Sequence, residues 1–189
     1  EYLNCDMTNI NNIKKKIKKS YDFIINLSGN INHKKKKETF ETHFNGCKNL
    51  IEFFKTKNIS LFLQIGSSLE YGNLPSPQNE NFKCKPISYY GKAKLKSTNY
   101  LMKLSKHSNF PFLILRLYQV YGPNQKFDRL IPQVIKSCLD NRKFQCTDGS
   151  QIRDFLYEVA FNLSDDQISE LAEEIFNNQE KLKELIKDE

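Results

Sequence analysis

Apolar positions along the chain fall into two alternating rhythms. Ile10, Ile13 and Ile17 recur at three and four residues inside a lysine-rich stretch, which predicts a short helix with one apolar stripe. Phe23-Ile24-Ile25-Asn26-Leu27 follows as a brief apolar strand ending in Ser28-Gly29. Phe40, Phe44, Cys47, Ile51 and Phe54 then line one face of a longer helix. Leu61-Phe62-Leu63-Gln64-Ile65 is the next strand, closed by Gly66-Ser67-Ser68. A helix over about 89–106 offers Ala93, Tyr100, Leu101 and Leu104 for packing. Phe112-Leu113-Ile114-Leu115-Arg116-Leu117 reads as a third strand, and Ile131, Val134, Ile135 and Leu139 suit another helix.

Strands of near-continuous apolar residues alternating with helices indicate an α/β fold with a parallel sheet covered on both faces. Ligands of such sheets sit beyond the carboxyl ends of the strands. Ser28-Gly29, Gly66-Ser67-Ser68 and Tyr121-Gly122-Pro123 fall at those ends, so these turns are expected on one edge. The last thirty or so residues differ. Ser164 with Gln167 three residues on gives a capping-box start, and Ile168, Leu171, Ile175, Leu182 and Leu185 provide an intermittent helical face. The expected division is residues 1–160 as the α/β domain and 161–189 as a polar helical tail.

At 189 residues the chain is long enough for one full core. Fourteen Phe and nine Tyr within a 39% hydrophobic composition argue against disorder. No apolar stretch approaches a membrane span. The opening Glu1-Tyr2-Leu3-Asn4 has neither a signal-peptide pattern nor an initiator Met, which points to a beginning elsewhere. Five scattered cysteines without a CxxC pair, and three histidines at no ligand spacing, suggest a reducing cytoplasm and no metal site. The net charge of +7 comes largely from lysine runs at 14–19 and 34–37, which lack interleaved aromatics. That is a solvated surface rather than a specific nucleic-acid footprint.

The chemistry-bearing pair is Tyr90 and Lys94, one helical turn apart on one face. A phenol is a poor base at neutral pH, but a neighbouring cation favours its phenolate. So poised, Tyr90 could move the proton on a hydroxyl or carbonyl while a hydride moves at carbon. Ser67, at the end of the preceding strand, could hold the same oxygen.

In this order and context the segment resembles the extended short-chain dehydrogenase/reductase superfamily, specifically its NAD-dependent epimerase/dehydratase group acting on nucleotide sugars. Ser67 precedes Tyr71-Gly72 by four residues, as the family's strand-end Ser/Thr does, and the catalytic Tyr and Lys fall on Tyr90 and Lys94. Arg116-Leu117-Tyr118-Gln119-Val120-Tyr121-Gly122-Pro123 and Gly149-Ser150-Gln151-Ile152-Arg153-Asp154-Phe155 match two later stretches. The likeness spans roughly residues 5–159. It implies that Asp6 hydrogen-bonds adenine, that Asn26, Ser28 and Gly29 lie along the cofactor, and that Asn45 sits behind the site. It assigns Tyr90 as acid/base, Lys94 to the nicotinamide ribose, Ser67 and Gln119 to the substrate, and Arg153 to its phosphates. The implied cofactor is NAD, with NADP as the alternative, and the implied substrate is a nucleotide-diphosphate sugar. Homodimeric assembly is left open.

The departures matter too. Family dehydratases carry Asp-Glu after the Ser/Thr, whereas this chain has Ser68 and Leu69, with Glu70 one residue out of place. A 4,6-dehydratase is disfavoured, and an epimerase or ketosugar reductase is favoured. Gln119 stands where the family has Asn. No Gly-x-x-Gly-x-x-Gly occurs in the chain, so the helix N-terminus that receives the pyrophosphate is missing. The expected fold is therefore an incomplete, Rossmann-like doubly wound sheet lacking its first strands. A non-catalytic remnant unable to bind NAD is the main alternative, and a polyanion-binding module built on the lysine runs is a distant third.

Overall fold

A computed structural model of the chain describes residues 2–30, 33–148 and 153–157. They divide into two units, one through Arg116 and one from Leu117 onward.

The first unit opens with α1 (Ile10–Lys16), where the Asn9 side chain accepts from the amides of Asn11 and Asn12. This satisfies donors the helix itself cannot pair. The expected stripe turns inward at Ile13, which has no exposed surface. Then β1 (Phe23–Asn26), β2 (Leu61–Ile65) and β3 (Phe112–Leu115) pair in the order β1-β2-β3, all parallel. Between β1 and β2 run α2 (Lys36–Phe40), a π-helical turn (Glu41–Gly46) and α3 (Cys47–Phe54). Between β2 and β3 runs α4 (Tyr89–Ser108), capped by the Ser88 hydroxyl on the Gly91 amide. The core joins Ile24 and Phe62 of the sheet to Cys47, Leu50, Ile51 and Phe54 of α3, with Leu101 of α4 and Phe110. This is the Rossmann-like α/β architecture the alternation predicts.

Two details differ from the apolar pattern. The expected single helix through Phe40 and Phe54 is interrupted by the π-turn. A π-turn takes up more residues per turn than an α-helix, so one continuous stripe cannot hold phase. Phe44, Cys47, Ile51 and Phe54 are buried, while Phe40 is half-buried under the Lys96 ammonium, 4.8 Å from its ring. Second, the consecutive strand order leaves β1 with one strand neighbour among the described residues.

The second unit holds β4 (Gln119–Tyr121) and β5 (Phe155–Tyr157), paired in parallel, and α5 (Leu130–Leu139). The sequence pattern anticipates α5 but neither strand. Three residues are too few for periodicity to register, and the apolar run assigned to one strand through Leu117 ends at Leu115. The helical tail, the boundary near residue 160 and positions 149–152 of the late motif lie outside the described residues. No helix among the described residues is long and apolar enough to cross a membrane.

Candidate active site

Parallel pairing of Asn26 with Gln64 sets the turns after β1 and β2 side by side at the carboxyl end of the sheet. Asn26 builds the first turn. Its amide nitrogen donates to the Gln64 side-chain oxygen at 2.7 Å. Its Oδ1 accepts from the Ser28 amide at 3.1 Å and the Ser28 hydroxyl at 2.6 Å. The polar side chains of Asn26 and Ser28 are thus engaged with each other and with Gln64. Gly29 presses against His43: a Cβ at position 29 would lie 2.1 Å from the imidazole Cε1. Only glycine tolerates that approach without displacing the ring.

The second turn carries Ser67, which is 7% exposed. Its hydroxyl accepts from the Leu69 amide at 3.2 Å, and its own amide donates to Glu70 Oε1 at 2.9 Å. These reciprocal bonds form a capping box over the short 3-10 turn Ser68–Glu70. Glu70 is fully buried, and its Oε2 also accepts from the Thr98 hydroxyl at 2.8 Å and from Arg116 Nε at 3.1 Å. The carboxylate thus faces the interior of the first unit.

Tyr90 and Lys94 lie in the first turns of α4, which seats closely on the Ser67 turn. At Gly91 a Cβ would come within 2.4 Å of the Leu69 carbonyl oxygen. The missing side chain lets the helix approach the turn, and the Ser67 hydroxyl faces the Tyr90 phenol closely enough to favour its ionised form. Lys94 is 5% exposed, donates to the Ile65 carbonyl at 2.7 Å and lies 5.7 Å from the centre of the Tyr90 ring. Ser67, Tyr90 and Lys94 therefore converge.

Their electrostatics differ from the sequence expectation. Burial raises the Tyr90 phenol above its ordinary value, Glu70 adds to the rise, and the Ser67 interaction opposes it. Burial likewise pulls Lys94 below an ordinary lysine, offset by Cys47 and Glu70. The cation predicted to lower the phenol sits over the ring and bonds a carbonyl, so desolvation dominates in the ligand-free site. Tyr90 is accordingly protonated at neutral pH.

Two histidines complete the cluster and escaped the sequence reading. His33 stacks on the Tyr90 ring with centroids 4.1 Å apart, and His43 meets it edge-on at 4.8 Å. His43 is 5% exposed; its Nε2 pairs with the Asn30 backbone, and its Nδ1 is buried without a partner. Burial chiefly lowers its pKa to about 4, with Lys94 and His33 contributing and the Asn30 contact opposing, so the ring is neutral. Position 43 lies off the apolar stripe, and only the π-turn rotates it inward. Asn45, which the resemblance places behind the site, lies on the same π-turn and donates to Glu41 Oε2 at 2.7 Å.

The remaining expected residues are Asp6, Gln119 and Arg153. Asp6 is exposed before α1, where the Thr8 hydroxyl and amide, bonding its carboxylate at 2.7 and 2.9 Å, hold its pKa below the usual carboxylate range. Gln119 and Arg153, both exposed, belong to the second unit. There the Gln119 amide donates to the Asp154 carbonyl at 3.2 Å, which brings Gln119 beside the Arg153–Asp154 step.

Known proteins share this arrangement of chain. The uncharacterized UDP-glucose epimerase YtcB of Bacillus subtilis is 32% identical over 109 residues, covering 57% of this chain and 34% of that protein. The crystal structure of UDP-glucuronic acid 4-epimerase from Bacillus cereus in complex with NAD aligns with a TM-score of 0.66 and 28% identity, over 73% of this chain and 45% of that one. A UDP-N-acetylglucosamine 4-epimerase from Methanobrevibacter ruminantium, in complex with UDP-N-acetylmuramic acid, aligns at 0.69 with 25% identity, over 74% and 48%. The chain spans between a third and a half of the length of these relatives. Residues 1–159 match the NAD dependent epimerase/dehydratase family, and with the fold and the Ser67–Tyr90–Lys94 cluster in view, the chain belongs to that family.

Proposed function

We propose that this protein serves NAD-dependent oxidoreduction of a nucleotide-diphosphate sugar, as an epimerase or ketosugar reductase. The observation that carries the reading is the convergence of Ser67, Tyr90 and Lys94 at the carboxyl end of β2. Relatives whose structures hold NAD or a UDP-sugar support the ligand classes. Lys94 also fits a role at the nicotinamide ribose: its buried ammonium has three N–H groups, and one donates to Ile65. Asp6, the Asn26–Gly29 backbone and Lys94 would hold the cofactor, which supplies a hydride acceptor and donor when bound.

In this reading the Ser67 hydroxyl positions the reacting sugar oxygen. Tyr90, held protonated by burial, gives that oxygen a proton during carbonyl reduction. In the reverse direction its phenolate, favoured by the Ser67 interaction, takes the proton from a hydroxyl. Gln119 and Arg153 would address the nucleotide portion, where a guanidinium matches phosphate oxygens. The Ser67–Tyr90–Lys94 reading favours these reactions over 4,6-dehydration, because Glu70 has its oxygens engaged internally.

The test is turnover by the protein expressed from its complete reading frame, with NAD and a panel of nucleotide-diphosphate sugars, followed by NMR of the sugar. Conversion that falls about 10²–10⁴-fold in Tyr90→Phe is the expected outcome. Conversion unaffected by Tyr90→Phe would overturn the reading, as would its absence from an NAD-saturated protein. A second reading, a sheet module without turnover, is favoured by the absence of a Gly-x-x-Gly-x-x-Gly loop within these 189 residues. Calorimetry of the 189-residue polypeptide with NAD addresses it. Tight stoichiometric binding would show that the loop is dispensable.

A further inference from the structure

Glu70 is a fully buried carboxylate that the proposed chemistry does not use. Its three donors come from three different elements: the Ser67 amide after β2, the Thr98 hydroxyl of α4, and Arg116 Nε just past β3. Thr98 is not an arbitrary site on α4. Tyr90, Lys94 and Thr98 recur at four-residue intervals and so form one ridge of the helix. The carboxylate therefore grips the same ridge that presents the phenol and the ammonium, while its other oxygen holds the turn that presents the Ser67 hydroxyl.

We propose that Glu70 is a positioning residue for the Ser67–Tyr90 oxygen site, clamping the Ser67 turn to the Tyr90 ridge of α4. The inference rests on the proposed function for its purpose, but its geometry stands without it. A buried carboxylate is strongly disfavoured when it loses donors, so the separations among its three partners are tightly specified. The close seating of Gly91 on Leu69 works in the same direction, since turn and helix touch backbone to Cα there. Arg116 secures the far side of the clamp, with its guanidinium carbon 4.8 Å from the centre of the Tyr71 ring. Glu70 also acts on the phenol through its charge, raising the proton affinity of Tyr90. The other groups facing Tyr90 are Ser67 on the turn, Lys94 on its own helix, His43 on the π-turn and His33 on the loop after β1.

The experiment needs no cofactor. In the 189-residue chain, Tyr90 is titrated by NMR of ζ-carbon-labelled tyrosine, assigned with Tyr90→Phe, and exchange of the Ser67 amide proton is followed in parallel. Glu70→Gln keeps the shape and removes the charge. It is expected to move the Tyr90 midpoint downward and to speed Ser67 amide exchange by about tenfold. A folded Glu70→Gln chain with both readouts unchanged overturns the proposal; mere packing by Glu70 would leave the Tyr90 midpoint in place. Thr98→Val removes one donor without changing charge and serves if Glu70→Gln does not fold. Faster Ser67 exchange in that variant supports the clamp, and an unaltered rate overturns it. Failure of nucleotide binding or turnover, by contrast, bears only on the proposed function.

Discussion

The two units use similar apolar patterning to different ends. In the first, Ile13, Ile51, Phe62 and Leu101 have no exposed surface, and helices close over a three-stranded sheet. In the second, α5 buries no residue, although its pattern is at least as apolar, and Ile135 and Leu139 remain 54% and 81% exposed. An amphipathic stripe reports where a chain can bury surface, and a paired sheet decides how much it does. The central strand β2 has neighbours on both sides and offers a platform. Among the described residues the β4–β5 pair is a two-stranded ribbon, which gives little independent stability. The first unit also takes polar groups inside, among them Asn26, His43, Ser67, Glu70, Lys94 and Thr98. Such groups survive burial when bonded, and the bonds to Glu70 and Ile65 hold the Ser67 turn and the Tyr90–Lys94 helix face against one another.

Substitution can test this contrast directly. Leu101→Ala is expected to cost about 2–5 kcal/mol of unfolding free energy, whereas Ile135→Ala should cost less than about 1 kcal/mol. Equal losses in urea denaturation would erase the distinction between the units. Gly91→Ala pushes a methyl towards the Leu69 carbonyl, so a loss of about 1–3 kcal/mol is expected, with Tyr90 carried away from Ser67. A crystal structure of that variant with the phenol unmoved would show that the turn yields instead of the helix.

The buried polar cluster adds a pH signature. His43 takes up its proton near pH 6.5 when unfolded and near 4 when folded, so the unfolded chain binds the additional proton between these values. This contribution to stability is complete above pH 6.5 and declines as pH falls towards 4. Denaturation midpoints of the parent and His43→Gln should show that decline in the parent and a flatter profile in the variant. The smallest effect belongs to the exposed helix end: Leu139→Ser should change stability by no more than about 0.5 kcal/mol.

Much of the first unit is legible in the sequence because its strands are short apolar runs between polar turns. Leu61–Ile65 has the bounds its residues suggest, and Ser67, Tyr90 and Lys94 could be placed together from a strand end and a four-residue helical spacing. What the pattern could not reveal depends on three-dimensional context. Tyr90 is titrated by burial more than by the lysine one turn away. His43 and Glu70 are polar residues on segments where periodicity offers no reason to turn them inward. The strands β4 and β5 are too short to announce themselves.

The π-turn has a consequence for how this helix can tolerate insertion and deletion. Widening one turn disturbs the regular backbone ladder, and here the His43 carbonyl accepts the Ser97 hydroxyl at 2.8 Å, stitching the turn to α4. Removing one residue between 41 and 46 could restore an unbroken α-helix and raise local helical regularity. It would also rotate everything on one side of the cut by about 100° relative to the other. Either His43 would leave the Tyr90 ring or Cys47, Ile51 and Phe54 would leave the core. The helix thus retains its local irregularity as a phase shifter, without which one surface could not serve both the sheet beneath it and the phenol beside it.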